Sequence, residues 1–446
     1  MPKGNESGIV APVALQLGCH AAGLDARHFG PETSDAVFRC VLDAITSAAA
    51  GLRQPGVVAA RRVAPLLYGP GSVPIWFSGG TASAGAAMLA NSTAAAALDL
   101  DDGYRMARGH PGAAVIPAAL ALMSAVPDAS VDDFIATVVA GYEVGVRLAA
   151  ARSTYAPSGA WSGFAVVAAA GRMLGVDAKA IAQALAIAAQ TAPALPALAG
   201  IAGSDVKEGI PAGVAAGWTA LQLAMGGVTG PVDVLEDKRL FDSQAVLRDL
   251  NGIPLIGGTY FKAFGCCRHI HAPLEAVLHL QARHGLAAED IVSIVVFTYQ
   301  ATFNLSNKPD PATLVEAQYS VPYCLAVCLL RGTDALVPLN AGQLNDAEVR
   351  ELAGRIEVTH DAAIEPLFPK RSPARVVVNL VGGQRLESPL TDPRGDPERP
   401  LSSADLERKL RIATRDTLSP TVQQMVLDGV AALRTGEWRP LLAALR

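Results

Sequence analysis

The chain has 446 residues, of which 51% are hydrophobic, 17% are charged and only 5% are aromatic. Its formal net charge is −5 and it has no basic tract, which argues against nucleic-acid binding through a stripe of lysine and arginine. The charged fraction is below the usual figure of about 25%, so the chain can bury a large core. Because alanine and glycine dominate the apolar residues, we expect closely packed helices rather than a strand-rich sandwich.

The chain up to about residue 260 is predicted to be mainly helical, because its apolar residues recur with a period near 3.6. The predicted helices are 10–22, 34–52, 82–98, 113–125, 131–152, 163–174, 177–191 and 211–226. Asp177 is a predicted N-cap. Two uncharged stretches, 180–204 and 209–232, are long enough to cross a membrane. They contain proline, glutamine and many small residues, so we expect buried core helices and no membrane span.

After about residue 260 the pattern changes to an α+β segment, in which helices alternate with β-branched runs. Helices are predicted at 272–284, 320–330 and 346–354, and strands at 291–299, 355–359, 375–381 and 384–386. Gly382-Gly383 joins the last two strands as a hairpin. A proline-rich linker at 391–400 precedes Ser402, which begins a helix with a capping box to Asp405. The predicted fold class is mainly α with an α+β second domain.

A compact polar island interrupts one of the most apolar stretches of the chain. No charge occurs from residue 82 to 98, and then Asp99, Asp101, Asp102 and His110 follow within a few positions. Buried carboxylates cost several kcal/mol unless they are paired or hydrogen-bonded, so such an island favours chemistry over packing. A carboxylate-oriented histidine is a usable general base near neutral pH. The alternative is an acidic helix end with a structural loop histidine.

Two further sites carry isolated polar residues. Lys207 lies between two long uncharged stretches, where a lysine either reaches the surface in a turn or holds an anion in a pocket. Cys266-Cys267, His269 and His271 could ligate zinc, but the spacing is unlike the usual Cys-x-x-Cys pairs. We therefore expect no metal site.

The polar island also resembles a known family. Asp-Leu-Asp-Asp at 99–102, His-Pro-Gly at 110–112 and Val-Ile-Pro-Ala-Ala-Leu at 115–120 resemble the signature of the MmgE/PrpD family. Its members include 2-methylcitrate dehydratase, cis-aconitate decarboxylase and iminodisuccinate epimerase. The resemblance implies a small anionic substrate, no cofactor and a homodimer. It also implies an all-helical domain formed by 1–262 and 400–446, with an α+β domain, 263–399, inserted between them.

The resemblance suggests roles for individual residues. Asp99 and His110 fall on motif positions at the family's active site, and Gly-Ser-Asp-Val-Lys at 203–207 resembles the stretch that places a lysine there. His110 is the expected general base or acid, oriented by Asp99, with Lys207 beside it. The residues expected to bind substrate are Lys262, Arg268, Tyr323 and Asp102, whereas His271 is expected to be structural.

Two histidines common in the family's dehydratases are missing, since their positions fall on Ala156 and Ala96. Dehydration needs an acid that protonates the departing hydroxide, and Tyr155 is the candidate replacement. This difference favours epimerisation of an iminodisuccinate-like polycarboxylate. Dehydration of the 2-methylcitrate type and decarboxylation of the cis-aconitate type are the alternatives, as is a binding protein without turnover.

The cysteines and the N-terminus bear on the compartment. The six cysteines are sparse, and two of them are adjacent, which favours reduced thiols in a cytoplasmic protein. The first residues lack the apolar region of a signal peptide.

Overall fold

The computed structural model describes residues 11–194 and 204–446. The α-helices within these residues are α1 Val13–Gly23, α2 Pro31–Gly51, α3 Pro55–Tyr68, α4 Ala84–Ala96, α5 Gly112–Ala125, α6 Val131–Ala150, α7 Gly159–Met173, α8 Ala178–Thr191, α9 Ile210–Met225, α10 Ser243–Leu247, α11 Arg268–His284, α12 Leu314–Gln318, α13 Val321–Arg331, α14 Ala347–Ala353, α15 Ser403–Ala413, α16 Pro420–Arg434 and α17 Arg439–Ala444. The strands are β1 Val73–Pro74, β2 Thr81–Ala82, β3 Ile291–Thr298, β4 Ile356–His360, β5 Arg375–Leu380 and β6 Arg385–Glu387. The architecture is mainly α with a smaller α+β region, as the sequence predicts.

The main hydrophobic core lies among the helices that precede residue 250. Helices α6 and α7 pack along each other, and α7 also packs against α9 and α5. The largest side chains that α6 and α7 bury completely are Tyr142, Phe134, Trp161 and Phe164. Asp177 caps α8 as predicted, since its carboxylate accepts hydrogen bonds from the backbone N–H groups of Lys179 and Ala180.

Helices α7 and α9 approach each other at backbone distance. A Cβ atom at Gly213 would lie 2.3 Å from the carbonyl oxygen of Gly159, and one at Gly217 would lie 2.3 Å from that of Gly163. Only glycine fits at such a contact, because real Cβ atoms essentially never come within 3.0 Å. This close contact fixes the N-terminal ends of the two helices side by side.

The α+β region contains a four-stranded sheet with the order β4-β3-β5-β6. Strands β3 and β4 are parallel, while β5 is antiparallel to both β3 and β6. The predicted β5–β6 hairpin is present, and Gly382 and Gly383 turn it with φ of +92° and +86°. Helix α11 packs on β5 and on α13 over a second core.

The last helices return to the helical core. Helices α15 and α16 both pack on α2, and Ser402 begins α15 with the predicted capping box to Asp405. Inside this contact, Lys409 Nζ lies 2.6 Å from Asp43 Oδ1. The boundaries at residues 262 and 400 stay a prediction.

Helix α3 was missing from the sequence predictions, as were the short helices α10 and α12. Helix α3 begins at Pro55, contains Gly56 and Pro65, and buries only Val57 and Ala64. Proline at both Pro55 and Pro65, with Gly56 between them, hides it from pattern analysis, because proline and glycine are the residues that most disfavour a helix interior. Among the described residues, no helix has the length and apolar character needed to span a membrane.

Candidate active site

A cavity of about 210 Å³ lies where the helical and α+β regions meet. It is lined by His110 from the polar island and by side chains from both regions, among them Arg105, Arg108, Tyr155, Glu208, Tyr260, Cys267, Arg268, His269, Tyr319 and Ser372. A larger cleft of about 630 Å³, lined by Glu275, Arg394 and Arg408, contains none of the polar island. The cavity at His110 is therefore the candidate active site.

Asp99 is the centre of a buried ion-pair cluster beneath this cavity. It follows α4 with φ of +52°, a left-handed backbone that is uncommon outside glycine. Its Oδ1 atom lies 2.6 Å from Lys207 Nζ and 2.9 Å from Lys262 Nζ. Burial raises the pKa of this carboxyl, but the two ammonium groups and His110 outweigh it and hold the pKa well below its usual value. Asp99 is therefore ionised at neutral pH.

The two lysines are bound to Asp99 and its surroundings rather than to the cavity. Lys207 Nζ also donates to the carbonyl oxygen of Ala96, and Lys262 Nζ donates to that of Asp99. Neither lysine lines the cavity. Both predicted lysines thus join the polar island, but the contacts shown are with Asp99, so a direct contact with substrate stays a prediction.

His110 is held in one orientation by the backbone. Its Nδ1 atom lies 2.7 Å from the carbonyl oxygen of Asp102, which can only accept, so Nδ1 donates. The backbone N–H of His110 donates to Ser158 Oγ. The predicted orienting residue, Asp99, lies farther away, with Oδ1 at 3.7 Å from Nε2. The backbone of Asp102, not the carboxylate of Asp99, therefore makes the hydrogen bond that sets the ring.

Glu208 faces the free nitrogen of His110 and was missed by the sequence analysis as a site residue. Its Oε1 atom lies 3.6 Å from His110 Nε2, and Oε2 accepts a 2.5 Å hydrogen bond from Ser158. The hydroxyl of Tyr319 donates to Oε1 at 3.4 Å. Burial raises the pKa of Glu208, but His110, Lys207 and Ser158 together lower it below its usual value. The side chain is therefore an anionic acceptor beside the imidazole.

The α7–α9 contact explains how Glu208 reaches this position. Glu208 and Gly209 form a left-handed turn before α9, with φ of +52° and +66°. The carbonyl oxygen of Glu208 accepts from the backbone N–H of Gly159 at the start of α7. The only signal for Glu208 in the sequence was its position next to Lys207.

Asp102 belongs to a layer beneath the cavity and does not line it. Its Oδ1 atom accepts from the backbone N–H of Gly112, and Oδ2 accepts a 2.5 Å hydrogen bond from Tyr142. Burial and the neighbouring carboxylate of Asp43 raise the pKa of Asp102 to about 7. The expectation that the side chain of Asp102 binds substrate is therefore not supported by its position.

This raised pKa predicts a pH dependence of stability. Between the unfolded pKa of 3.8 and the folded value of about 7, the folded chain keeps a proton that the unfolded chain has released, so stability falls as pH rises. We expect Asp102 to lower the free energy of unfolding by about 2 kcal/mol from about pH 5.5 to about pH 8. Urea unfolding of Asp102→Asn at both pH values should show a smaller decline.

Asp237→Asn is the matched control, because the hydrogen bonds from Arg239 lower the pKa of Asp237 to about 2, outside this pH range. An Asp102→Asn variant whose stability declines with pH as steeply as the wild type would contradict the assignment.

Three arginines line the cavity and supply positive charge, namely Arg105, Arg108 and Arg268. Arg268 donates to Asp396 Oδ1 at 2.6 Å and to the carbonyl oxygen of Arg394, while its Nε atom is buried without a hydrogen-bond partner among the described residues. Arg105 donates to Glu398 at 2.6 Å. Of the three, only Arg268 was predicted. Its unpaired Nε is a suitable donor for a substrate carboxylate.

The two predicted tyrosines differ in position. Tyr155 lines the cavity, where burial and Glu208 raise its pKa well above the usual value. Tyr323 does not reach the cavity, because its hydroxyl donates to the carbonyl oxygen of Gln343 at 2.7 Å. Tyr319, four residues earlier, lines the cavity instead, since it precedes α13 rather than lying within it.

The donor groups around His110 lie beside charges that disfavour a metal ion. Asp99, Asp101 and His110 have potential ligand atoms within 4.8 Å of one another. Two lysine ammonium groups already lie within 3 Å of Asp99 Oδ1, however, and their charge opposes a cation. In the Cys266–His271 segment, His271 contacts the carbonyl oxygen of Cys266, while His269 lines the cavity. His271 is thus held within the protein, as its predicted structural role requires.

Comparison with known proteins decides the family. The MmgE/PrpD N-terminal domain matches residues 16–249, and the MmgE/PrpD C-terminal domain matches residues 264–435. The chain belongs to the MmgE/PrpD family. The family domains cover both regions that line the cavity, so the site described above is a site of an MmgE/PrpD protein.

Curated relatives of this MmgE/PrpD chain are cis-aconitate decarboxylases. The human enzyme is 27% identical over 76% of this chain and 75% of its own length. The enzyme of Aspergillus terreus is 24% identical over 99% of this chain and 96% of its own length. No special closeness to iminodisuccinate epimerase is shown.

Proposed function

We propose that the chain is a cofactor-independent enzyme that generates and protonates a carbanion next to a carboxylate of a small polycarboxylate. The observation that carries this proposal is the environment of His110. Its Nδ1 is occupied by the carbonyl oxygen of Asp102, while Nε2 faces Glu208 beside the cavity. A histidine held in this way can transfer a proton at one defined atom.

The surrounding charges support an anionic substrate. Arg268 offers an unpaired buried Nε, and Arg105 and Arg108 line the same cavity. Guanidinium groups bind carboxylates strongly and can stabilise the enolate-like charge that develops in the reaction. The net charge of the whole chain is −5, so this local positive charge is what would attract the substrate.

We favour decarboxylation of a tricarboxylate similar to cis-aconitate over the epimerisation expected from the sequence. Loss of CO₂ leaves an electron pair on carbon, which needs one proton donor, and His110 Nε2 can supply that proton. Epimerisation needs acid–base groups on both faces of the carbon. The other titratable side chains of the cavity are poorly suited to be the second acid–base group. Burial raises the pKa of Cys267, burial and Glu208 raise the pKa of Tyr155, and burial lowers the pKa of His269 to about 4. The names of the relatives agree with this preference.

Epimerisation of an iminodisuccinate-like dicarboxylate is the second candidate. The observation in its favour is that Tyr155 lines the same cavity as His110, so its hydroxyl offers a second group for proton transfer. A cytoplasmic homodimer stays part of the proposal, supported by six unpaired cysteines and by the many small apolar residues.

NMR spectroscopy of the protein in D₂O with cis-aconitate, 2-methylcitrate and iminodisuccinate, each in turn, tests the proposal. We expect release of CO₂ from cis-aconitate, with one deuterium incorporated into the product, and release about a thousandfold slower by His110→Gln. Deuterium exchange in iminodisuccinate with interconversion of stereoisomers would establish the epimerase instead. A new vinyl signal from 2-methylcitrate would establish a dehydratase. No change in any substrate would overturn the enzyme assignment for this substrate class.

A further inference from the structure

A short loop brings two arginines to the mouth of the cavity. It is closed at its base by a backbone bridge between Tyr104 and Gly109, and Gly103 pairs with Tyr260 just before it. We refer to residues 104–109 as the arginine loop. Arg105 and Arg108 both line the cavity, whereas Met106 on the same loop is exposed and does not.

The arginines around the cavity differ in what already binds them. Arg105 is held by Glu398 at 2.6 Å and lies 3.6 Å from Asp396, while Arg268 is held by Asp396 at 2.6 Å. Arg108 makes no ion pair with any residue in the described ranges. Its guanidinium carbon instead lies 4.8 Å from the centre of the Tyr155 ring. Of the three arginines, Arg108 is therefore the one without an ion pair in the described residues, and its donors are available to a ligand together with the unpaired Nε of Arg268.

Arg108 combines a left-handed backbone with a stacked side chain. Its φ is +51°, a left-handed conformation that costs free energy in a residue with a side chain. An aromatic face under a guanidinium holds the cation in place without using its N–H groups. The stacked arrangement leaves the planar edge of Arg108 available for two parallel hydrogen bonds to a carboxylate.

We propose that Arg108, stacked on Tyr155, binds the central carboxylate of a three-carboxylate substrate and so selects tricarboxylates over dicarboxylates. This inference rests on the proposed function, since it assigns the substrate class of that same site. Arg268, with its unpaired Nε, binds another carboxylate in the same cavity. Tyr155 acts here through its ring, as a positioning residue for Arg108, and not through a proton on its hydroxyl.

Calorimetric titration with two non-reacting probes tests the proposal. Tricarballylate carries three carboxylates, and glutarate is the same carbon chain without the central one. We expect Arg108→Ala to weaken tricarballylate binding at least about tenfold and to leave glutarate binding within about twofold, since one charge-assisted pair is lost. Met106→Ala, on the same loop, should bind both probes as the wild type does. Unchanged glutarate binding also shows that the Arg108→Ala variant is folded.

Variants of Tyr155 separate the ring from the hydroxyl. Tyr155→Phe keeps the aromatic face, so we expect tricarballylate affinity close to wild type. Tyr155→Ala should weaken tricarballylate about as much as Arg108→Ala does. A Tyr155→Phe variant that loses tricarballylate affinity would overturn the positioning role of the ring, and one that binds normally but loses turnover would show that the hydroxyl transfers a proton.

The titrations distinguish failure of this inference from failure of the proposed function. If Arg108→Ala selectively loses tricarballylate binding but the wild type turns over none of the substrates, the assignment of the carboxylate site stands and the proposed enzymatic function is overturned. Equal effects of Arg108→Ala on both probes, or no effect on either, would overturn the selectivity assigned to Arg108, as would a wild type that binds neither probe.

Discussion

Replacement of His110 by glutamine is expected to lower kcat by about a thousandfold while the chain stays folded. The imidazole is held by the carbonyl oxygen of Asp102, and its Nε2 faces Glu208 beside the cavity. A positioned general acid or base contributes roughly 10² to 10⁴ in rate. Steady-state kinetics with the substrate identified by NMR would measure the loss, and circular dichroism would confirm the fold.

His269→Gln is the matched control, because His269 lines the same cavity but packs against Tyr299 and Phe368. Burial lowers the pKa of His269 to about 4, so it is neutral at pH 7. We expect this variant to lose less than about tenfold in kcat. A larger loss of kcat in His269→Gln than in His110→Gln would show that His269, and not His110, transfers the proton.

Replacement of Asp99 by asparagine is expected to lower the free energy of unfolding by about 3–5 kcal/mol. The carboxylate lies within 3 Å of two buried ammonium groups, those of Lys207 and Lys262. A neutral amide leaves both cations in a buried site without their counter-charge, which costs more than loss of the attraction alone. Urea unfolding at neutral pH would measure the change.

Glu407→Gln provides the comparison, since Glu407 pairs with Arg411 on the exposed face of α15. An exposed pair four residues apart on a helix is worth about 0.3–0.5 kcal/mol. Adding Lys262→Met to Asp99→Asn should restore part of the lost stability, because one uncompensated cation is removed. Wild-type stability in Asp99→Asn would show that the lysines do not depend on this carboxylate.

Apart from α3, the long helices before residue 230 were predictable from the sequence, and so were the N-caps of α8 and α15. Asp177 and Ser402 cap α8 and α15 as expected, because an N-cap depends only on residues two or three positions away. Helix α3 was not predictable, because it buries only two apolar side chains and contains Pro65. Packing on α4 stabilises it, and such tertiary contacts leave no local signal.

The candidate site was predictable as a place but not as a set of contacts. The polar island directed attention to Asp99 and His110, and the two predicted lysines do contact Asp99. Which carboxylate faces which nitrogen depends on backbone carbonyls and on turns far apart in sequence. The hydrogen bond from His110 to the carbonyl oxygen of Asp102 and the position of Glu208 are therefore properties of the fold rather than of the motif.

The glycine contact between α7 and α9 separates the parts of this site that can vary from those that cannot. Gly213 and Gly217 touch opposing backbone, so any side chain there would push apart the two helix ends that carry Ser158 and Glu208. The arginine loop, in contrast, has exposed positions such as Met106. Divergence or engineering toward a new substrate would therefore proceed through the arginine loop, while the proton-transfer geometry would be inherited unchanged with the helix packing.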